Sequence, residues 1–245
     1  MKNDTIGSMN RQFSRSALLY GEEAIEKLSH KRIALFGVGG VGGAALEGLV
    51  RAGIGEIDII DNDEFSLSNL NRQILSLHSR LGMAKVDVAK ERALDINPDI
   101  IIHTYQTFYL PEKKDSFPFD RWDYILDCID TVSAKLDIIE EAKKREIPIL
   151  SAMGCGNRLD PTKLVLTDIF NTDTDPLCKV MRHELRKRKI SSLDIIYSTE
   201  PARKVPLPDE PLPKGKRSIP GSTPFVPSTA GLWMAYKAVS DLLGK

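Results

Sequence analysis

The chain has 245 residues, 42% hydrophobic and 28% charged, and its 34 Lys and Arg balance 34 Asp and Glu to a formal net charge of zero. That composition suits a globular domain with a full core and supplies no overall pull towards nucleic acid or membrane, leaving only local basic patches for such a role. No stretch approaches the roughly 18 uncharged apolar residues that span a bilayer, and the opening MKNDTIGSMNRQFSR lacks an apolar signal core, so a cytoplasmic protein without a membrane partner is expected.

Residues 1–30 read as a helical arm. A buried strand follows at Arg32–Phe36, a helix at Gly40–Ala52 closed by Gly53, and a second strand at Glu56–Asp61. A long helix is expected at Gly82–Asn97, stopped by Pro98, then strands at Ile100–Tyr105 and Tyr124–Cys128. A helix over Val132–Arg145 and a strand at Pro148–Met153 complete the first half. Apolar strands alternating with helices imply an α/β fold: a Rossmann-like, doubly wound, mostly parallel sheet. After Asn157 the pattern changes. KLVLTDI reads as an antiparallel strand, PLCKVMRHELRKRK as a basic helix and LDIIYST as another strand. Residues 200–224 hold seven prolines and read as a mobile basic loop, followed by an amphipathic helix to the end of the chain. The expected organisation is one domain over 1–245, with a nucleotide-binding core at 31–157 and a substrate-side extension at 158–245.

The loop Gly37-Val38-Gly39-Gly40-Val41-Gly42 matches G-x-G-x-x-G between a strand and a helix. Glycines let backbone approach phosphate, and the helix start offers unpaired N–H groups and a positive dipole end. Asp61, 19 residues after Gly42, stands where an acid accepts ribose hydroxyls. Together they indicate an adenine nucleotide without deciding between NAD and ATP. A dehydrogenase would continue into a helix, whereas here DNDEFSLSNLNRQ is a polar loop ending in Arg72-Gln73. Lys85 lies in the next helix, and the fourth strand closes with Asp127 and Asp130. Two cations for leaving phosphates and one carboxylate for Mg form a clamp that nucleotidyl transfer needs and hydride transfer does not.

RQFSRSALLYG, GVGGVGG, IDIIDNDEFSLSNLNRQ, GMAKVDVAKERALDINP and LDCIDTVSAK together resemble the ubiquitin-activating-enzyme-like (ThiF-type) superfamily over roughly residues 11–155. That resemblance implies ATP–Mg binding and adenylation of a carboxylate. It places phosphates on Gly37, Gly39, Gly40 and Gly42 and ribose on Asp61. It adds Asp63, Asn69, Arg72, Gln73 and Lys85 to the ATP site, and Asp130 as the Mg ligand. Arg15 resembles the arginine that reaches a partner subunit's ATP site, which implies a homodimer; catalytic roles fall to Arg15, Arg72, Lys85 and Asp130. SAMGCGNRLDPTKLVLTDIFNTDTDPLCKVMRHELRKRKI and GSTPFVPSTAGLWMA extend the likeness to the tRNA threonylcarbamoyladenosine dehydratase subfamily. In it, ATP activates the carboxylate of threonylcarbamoyladenosine at adenosine 37 of tRNA, and ring closure removes water. A monovalent cation and a sulfur-transfer protein partner are further candidates. The alternative on the same fold is adenylation of the C-terminal carboxylate of a small sulfur-carrier or ubiquitin-like protein. Sulfur-carrier adenylyltransferases usually hold zinc in two C-x-x-C pairs, and this chain has none. An NAD-dependent dehydrogenase and a non-catalytic adaptor are the other readings.

For RNA, the basic helix carries Arg182, Arg186 and Arg188, and the proline-rich loop carries Lys214, Lys216 and Arg217. Such cations read either as phosphate contacts or as an ordinary solvated face. Cys128 and Cys178 read as packing residues. Cys155, in GCGN near the expected site, reads either as packing or as a functional thiol. His78 and His183 have no ligand pattern, and Trp122 and Trp233 are expected in the core.

Overall fold

Arg32–Phe36, RIALF, is buried at every position and forms the central strand β1. The computed structural model describes residues 9–206 and 220–245. Among the described residues three helices precede β1: α1 (Met9–Gln12), α2 (Ser14–Tyr20) and α3 (Glu22–Ser29). After it come α4 (Gly40–Ala52), β2 (Glu56–Ile60), α5 (Lys85–Ile96), β3 (Ile101–Tyr105), β4 (Tyr124–Asp127), α6 (Val132–Lys144) and β5 (Ile149–Ala152). The remainder is β6 (Leu164–Asp168), α7 (Pro176–Lys187), β7 (Asp194–Ser198) and α8 (Phe225–Leu243).

The seven strands form one sheet in the order β3-β2-β1-β4-β5-β7-β6. Every neighbouring pair is parallel except β6 with β7. The expected doubly wound sheet is therefore present, and its antiparallel extension is the edge strand β6 alone. Strand alternation sorts β1 to two cores. Ile33 and Leu35 meet α4, α5 and α8 through Leu46, Leu49, Val86, Ala89 and Met234. Ala34 and Phe36 meet α6 and α7 through Ile138, Ile139, Met181 and Leu185. Two 3-10 turns between β3 and β4, unassigned from sequence, help carry Tyr109, Phe117, Phe119 and Trp122 around this second core.

Helix α8 lies against α4 with almost no clearance. A Cβ on Gly231 would fall 2.1 Å from the carbonyl oxygen of Val41, so only glycine permits the approach. This contact brings the start of α8 beside the glycine loop, where a Cβ on Gly40 would lie 3.1 Å from Pro227.

Two expectations change. Helix α5 begins at Lys85, not Gly82, because Gly82 takes φ +78° and Ala84 bridges Glu64 in an extended link. Trp122 is buried, its Nε1 donating to Asp58 at 3.0 Å, but Trp233 is 40% exposed. Ala230, Met234 and Ala238 take the inner face of α8, so Trp233 stands with Leu232 and Tyr236 on the outer one. Residues 207–219 of the proline-rich loop, including Lys214, Lys216 and Arg217, lie outside the described residues.

Candidate active site

The order in which strands are added reverses between the parallel neighbours β1 and β4: β2 and β3 lie on one side, β5 and β7 on the other. In such a sheet the crevice at the carboxyl ends of the diverging strands receives ligands. The glycine loop leaves β1 there, and the turn carrying Asp130 leaves β4 there. Gly37 takes φ +86°, and a Cβ on Gly42 would fall 1.8 Å from the Gly37 carbonyl oxygen. The loop is thus folded onto the first turn of α4, which no side chain caps. Its open N–H groups and dipole face the crevice.

Asp61, one residue past β2, anchors this loop. Its Oδ2 accepts from the Val38 amide and its Oδ1 from the Asp63 amide, each at 2.8 Å. Asn69 is buried as a cap of the 3-10 turn Leu67–Asn69, its Oδ1 accepting from Ser66 N at 3.0 Å. That turn delivers Arg72 and Gln73. Arg72 donates to the Ser68 carbonyl at 2.6 Å and to Asn71 Oδ1 at 2.9 Å, and has no carboxylate partner among the described residues. Burial pulls its guanidinium below the ordinary value. Gln73 is buried with its amide nitrogen beside Gly39, and among the described residues its Oε1 has no hydrogen-bond partner. Lys85 is buried at the start of α5, where its Nζ reaches Asp63 Oδ2 at 2.9 Å.

Asp130 is exposed on the turn after β4. The turn is held from beneath by Asp127, which accepts from Lys135 Nζ at 2.8 Å, from Ile129 N at 3.3 Å and from Ser151 Oγ. Sequence reading noticed Asp127 but missed Lys135. The available signal was a lysine on the apolar stripe that continues through Ile138, Ile139 and Ala142 of α6.

The second half of the chain closes over the same edge. Asn71 Nδ2 donates to the Ser222 carbonyl at 2.9 Å. Asn157, at φ +60°, accepts from Gly221 N at 2.6 Å through Oδ1 and donates its own N–H to the Gly221 carbonyl at 2.7 Å. Arg203 N donates to the Asn157 carbonyl at 2.9 Å. Arg158, buried, pairs with Asp175 at 2.7 Å and donates to Gly156 and Glu200 carbonyls. None of these ties was foreseen, since all but the local Arg158–Gly156 contact join residues at least 17 apart in the chain. Cys155 sits in this cluster, and burial pushes its thiol up to about 12 against the pull of Arg158. Burial, followed by Asp127, raises Cys128 as well, and Cys178 is fully buried on α7.

Other expected residues lie away from the crevice. Phe13 packs against Gly53 at the far end of α4, so Arg15, exposed on α2 two residues later, starts near the end of α4 remote from its own glycine loop. Helix α7 starts at the crevice edge, where Asp175 touches Gly154, and carries Arg186 and Arg188 to its far end, roughly 18 Å along. Arg182 donates to Thr172, Arg186 lies 5.2 Å over the Phe170 ring, and Arg188 pairs with Glu184 and Glu140. His78 and His183 are exposed.

The residues fit a nucleoside triphosphate: a glycine cradle, two cations at its rim and an unsatisfied buried amide. Among the described residues no three His, Cys, Asp or Glu side chains gather. Asp130 offers one exposed carboxylate at the crevice, a donor that Mg can use, since it keeps several waters and takes one or two carboxylates plus substrate phosphates. No described helix is long and apolar enough to cross a membrane.

Residues 11–191 match the ThiF family. The tRNA threonylcarbamoyladenosine dehydratase of Bacillus subtilis is 40% identical over 243 residues, covering 96% of both chains. The structure of the Escherichia coli tRNA N6-threonylcarbamoyladenosine dehydratase in complex with ATP superposes with a TM-score of 0.86 at 30% identity, covering 100% of this chain and 97% of that one. The molybdopterin-synthase adenylyltransferase of Haemophilus influenzae is 36% identical over 149 residues, 61% of this chain and 60% of that one.

Proposed function

The chain belongs to the ThiF family, and from that premise we propose that it is an ATP-dependent tRNA threonylcarbamoyladenosine dehydratase. The observation that carries the reading is the meeting, at one crevice, of the glycine loop, Arg72, Lys85 and the Asp130 turn with the 220–224 segment tied in through Asn71 and Asn157. A nucleotide-activating centre and a substrate-side extension share that edge. Neither an NAD enzyme nor an inert adaptor has use for the two cations and the carboxylate.

ATP is a substrate here. Its phosphates lie along the glycine loop and the start of α4, with Asp61 at the ribose. The threonyl carboxylate attacks the α-phosphorus and pyrophosphate departs. Arg72 and Lys85 meet the charge that grows on the leaving group. Asp130 would hold Mg, which would supply neutralisation of phosphate charge. The acyl carbon, now bonded to AMP, is attacked by the carbamoyl group of the same modification, which gives up an N–H proton to solvent. The ring closes, and the former carboxylate oxygen leaves on AMP, so the nucleoside loses the elements of water. An intramolecular attack with an effective molarity of roughly 10^5 M needs no protein nucleophile. The part-buried Cys155 thiol, pushed up to about 12 by desolvation, is consistent with that.

The partner set follows. Modified tRNA is the substrate, with Arg182, Arg186 and Arg188 as phosphate contacts. A homodimer places Arg15 in the neighbouring site, and the 87% and 84% exposure of Leu18 and Leu19 beside it on α2 marks an apolar face for a second copy. The deciding experiment is pyrophosphate release from ATP and Mg with tRNA carrying threonylcarbamoyladenosine and with the same tRNA lacking it. Release with the modified tRNA alone, accompanied by loss of one water from the nucleoside, is expected. Release that instead requires a small carrier protein would overturn the tRNA reading and move the activity to a protein carboxylate.

A further inference from the structure

We propose that Lys135 is a positioning residue for the reaction: it fixes the turn that presents Asp130, and thereby sets the affinity of the nucleotide site for Mg. The inference rests on the reading of Asp130 as the Mg carboxylate. Lys135 and Asp127 have side chains with 0% exposure and a 2.8 Å ion pair. The same Nζ donates to the Ile129 carbonyl at 3.0 Å, and the Ile129 amide donates to Asp127 Oδ1 at 3.3 Å. Ser151 Oγ on β5 donates to Asp127 Oδ2. Both polar groups of the Ile129 peptide linkages, one residue before Asp130, are therefore bound to one buried pair. That pair is itself pinned to β4, β5 and α6.

Stability alone does not account for the arrangement. A buried ion pair carries a desolvation penalty, and well-packed apolar residues of similar volume do as well or better. What an apolar pair cannot do is hold a carbonyl and an amide in fixed directions. Mg demands near-ideal geometry from the few protein oxygens it takes, so a turn that wanders by a fraction of an ångström loses the ion. Lys135, with 0% side-chain exposure, acts through the backbone of Ile129.

The test compares full-length wild type, Lys135→Met and Asp130→Ala by calorimetric titration of ATP at a series of Mg concentrations, with thermal unfolding alongside. For Lys135→Met the Mg concentration giving half-maximal ATP binding is expected to rise about tenfold or more, as when outer supports of a metal ligand are removed, while ATP binding without Mg is unchanged. If Lys135→Met does not fold, the double variant Asp127→Leu with Lys135→Met takes its place, because it leaves no unpaired buried charge. A folded variant whose melting point falls while its Mg dependence stays at the wild-type value overturns the proposal. If Asp130→Ala also leaves the Mg dependence unchanged, the role of Asp130 fails, and this inference with it. If Asp130→Ala abolishes the dependence and the Lys135 variant does not alter it, only the positioning role fails.

Discussion

The Nζ of Lys85 stands 2.9 Å from Oδ2 of Asp63, with the lysine side chain 6% and the aspartate side chain 56% exposed. The aspartate holds the cation at the crevice lip from its solvent side, so Lys85 is oriented before phosphate arrives. On the proposed role of Lys85 at the departing pyrophosphate, Lys85→Met is expected to lower kcat/KM for ATP about 10^2- to 10^3-fold. Asp63→Asn leaves the charge and loosens its aim, so its loss is smaller. Steady-state pyrophosphate release at varied ATP checks both; equal losses would show that the pair acts as a unit.

Gly42→Ala tests the cradle. The new Cβ falls 1.8 Å from the Gly37 carbonyl oxygen, a backbone atom that cannot swing aside. The loop must open away from α4, at a cost of about 1–3 kcal/mol in stability. ATP affinity measured by calorimetry should fall further than stability does, because the amides that face phosphate move with the loop. Unchanged ATP affinity would place the phosphates elsewhere.

The parts of this site that were legible in the sequence are those whose cause is local. Gly37 and Gly42 announce a tight strand-to-helix turn because only glycine fits it, and Asp61 announces itself by ending a strand. Apolar strands alternating with helices gave the parallel sheet for the same reason. Asn71 with Ser222 and Asn157 with Gly221 are separated by 151 and 64 residues, and nothing local marks either pair. The facing of Trp233 depends on which side of α8 meets α4, and an apolar outer face hides that choice. Lys135 was legible in principle, since a lysine on an apolar stripe must find a buried partner.

Cys155 sets a pH test. Its thiol is pushed up to about 12 by burial, so the neutral form persists in the folded chain well above the ordinary thiol range near 8.5. Iodoacetamide should label Cys155 slowly at about pH 8, with a rate rising about tenfold per pH unit towards 11 as the thiolate fraction grows. Cys155→Ser should keep pyrophosphate release within a few-fold of wild type. Rapid labelling at neutral pH together with an inactive serine variant would point to a covalent thioester route.

Arg186 and Arg188 differ in how free their charge is. Arg188 is engaged by Glu140 at 3.2 Å and Glu184 at 2.8 Å, and Lys187 and Arg188 hold the Glu184 carboxyl down at about 2. Arg186 lies over Phe170 instead. If the far end of α7 carries tRNA phosphate contacts, Arg186→Ala should reduce the slope of log affinity against log salt by about 1, and Arg188→Ala by less. Filter-binding titrations over a range of salt read the slopes. Two unchanged slopes would leave this end of α7 as a solvated face.

Leu18 and Leu19 on α2 are 87% and 84% exposed, one helical turn from Arg15. Two leucines this bare on a short helix that buries none of its own side chains offer an apolar face, and the proposed second copy would cover it and carry Arg15 towards a neighbouring site. Leu18→Glu with Leu19→Glu should turn a dimer into a monomer in sedimentation, with pyrophosphate release falling alongside. The trans geometry has its own signature. Arg15→Ala and Asp130→Ala chains are each expected to be inactive alone. After exchange, about half of the dimers are mixed and each restores one site of two, so a mixture should recover about a quarter of wild-type activity. A monomeric wild type would remove the premise, a dimer whose mixture recovers nothing would place Arg15 in its own chain's site, and an Arg15→Ala chain active by itself would place Arg15 outside the chemistry.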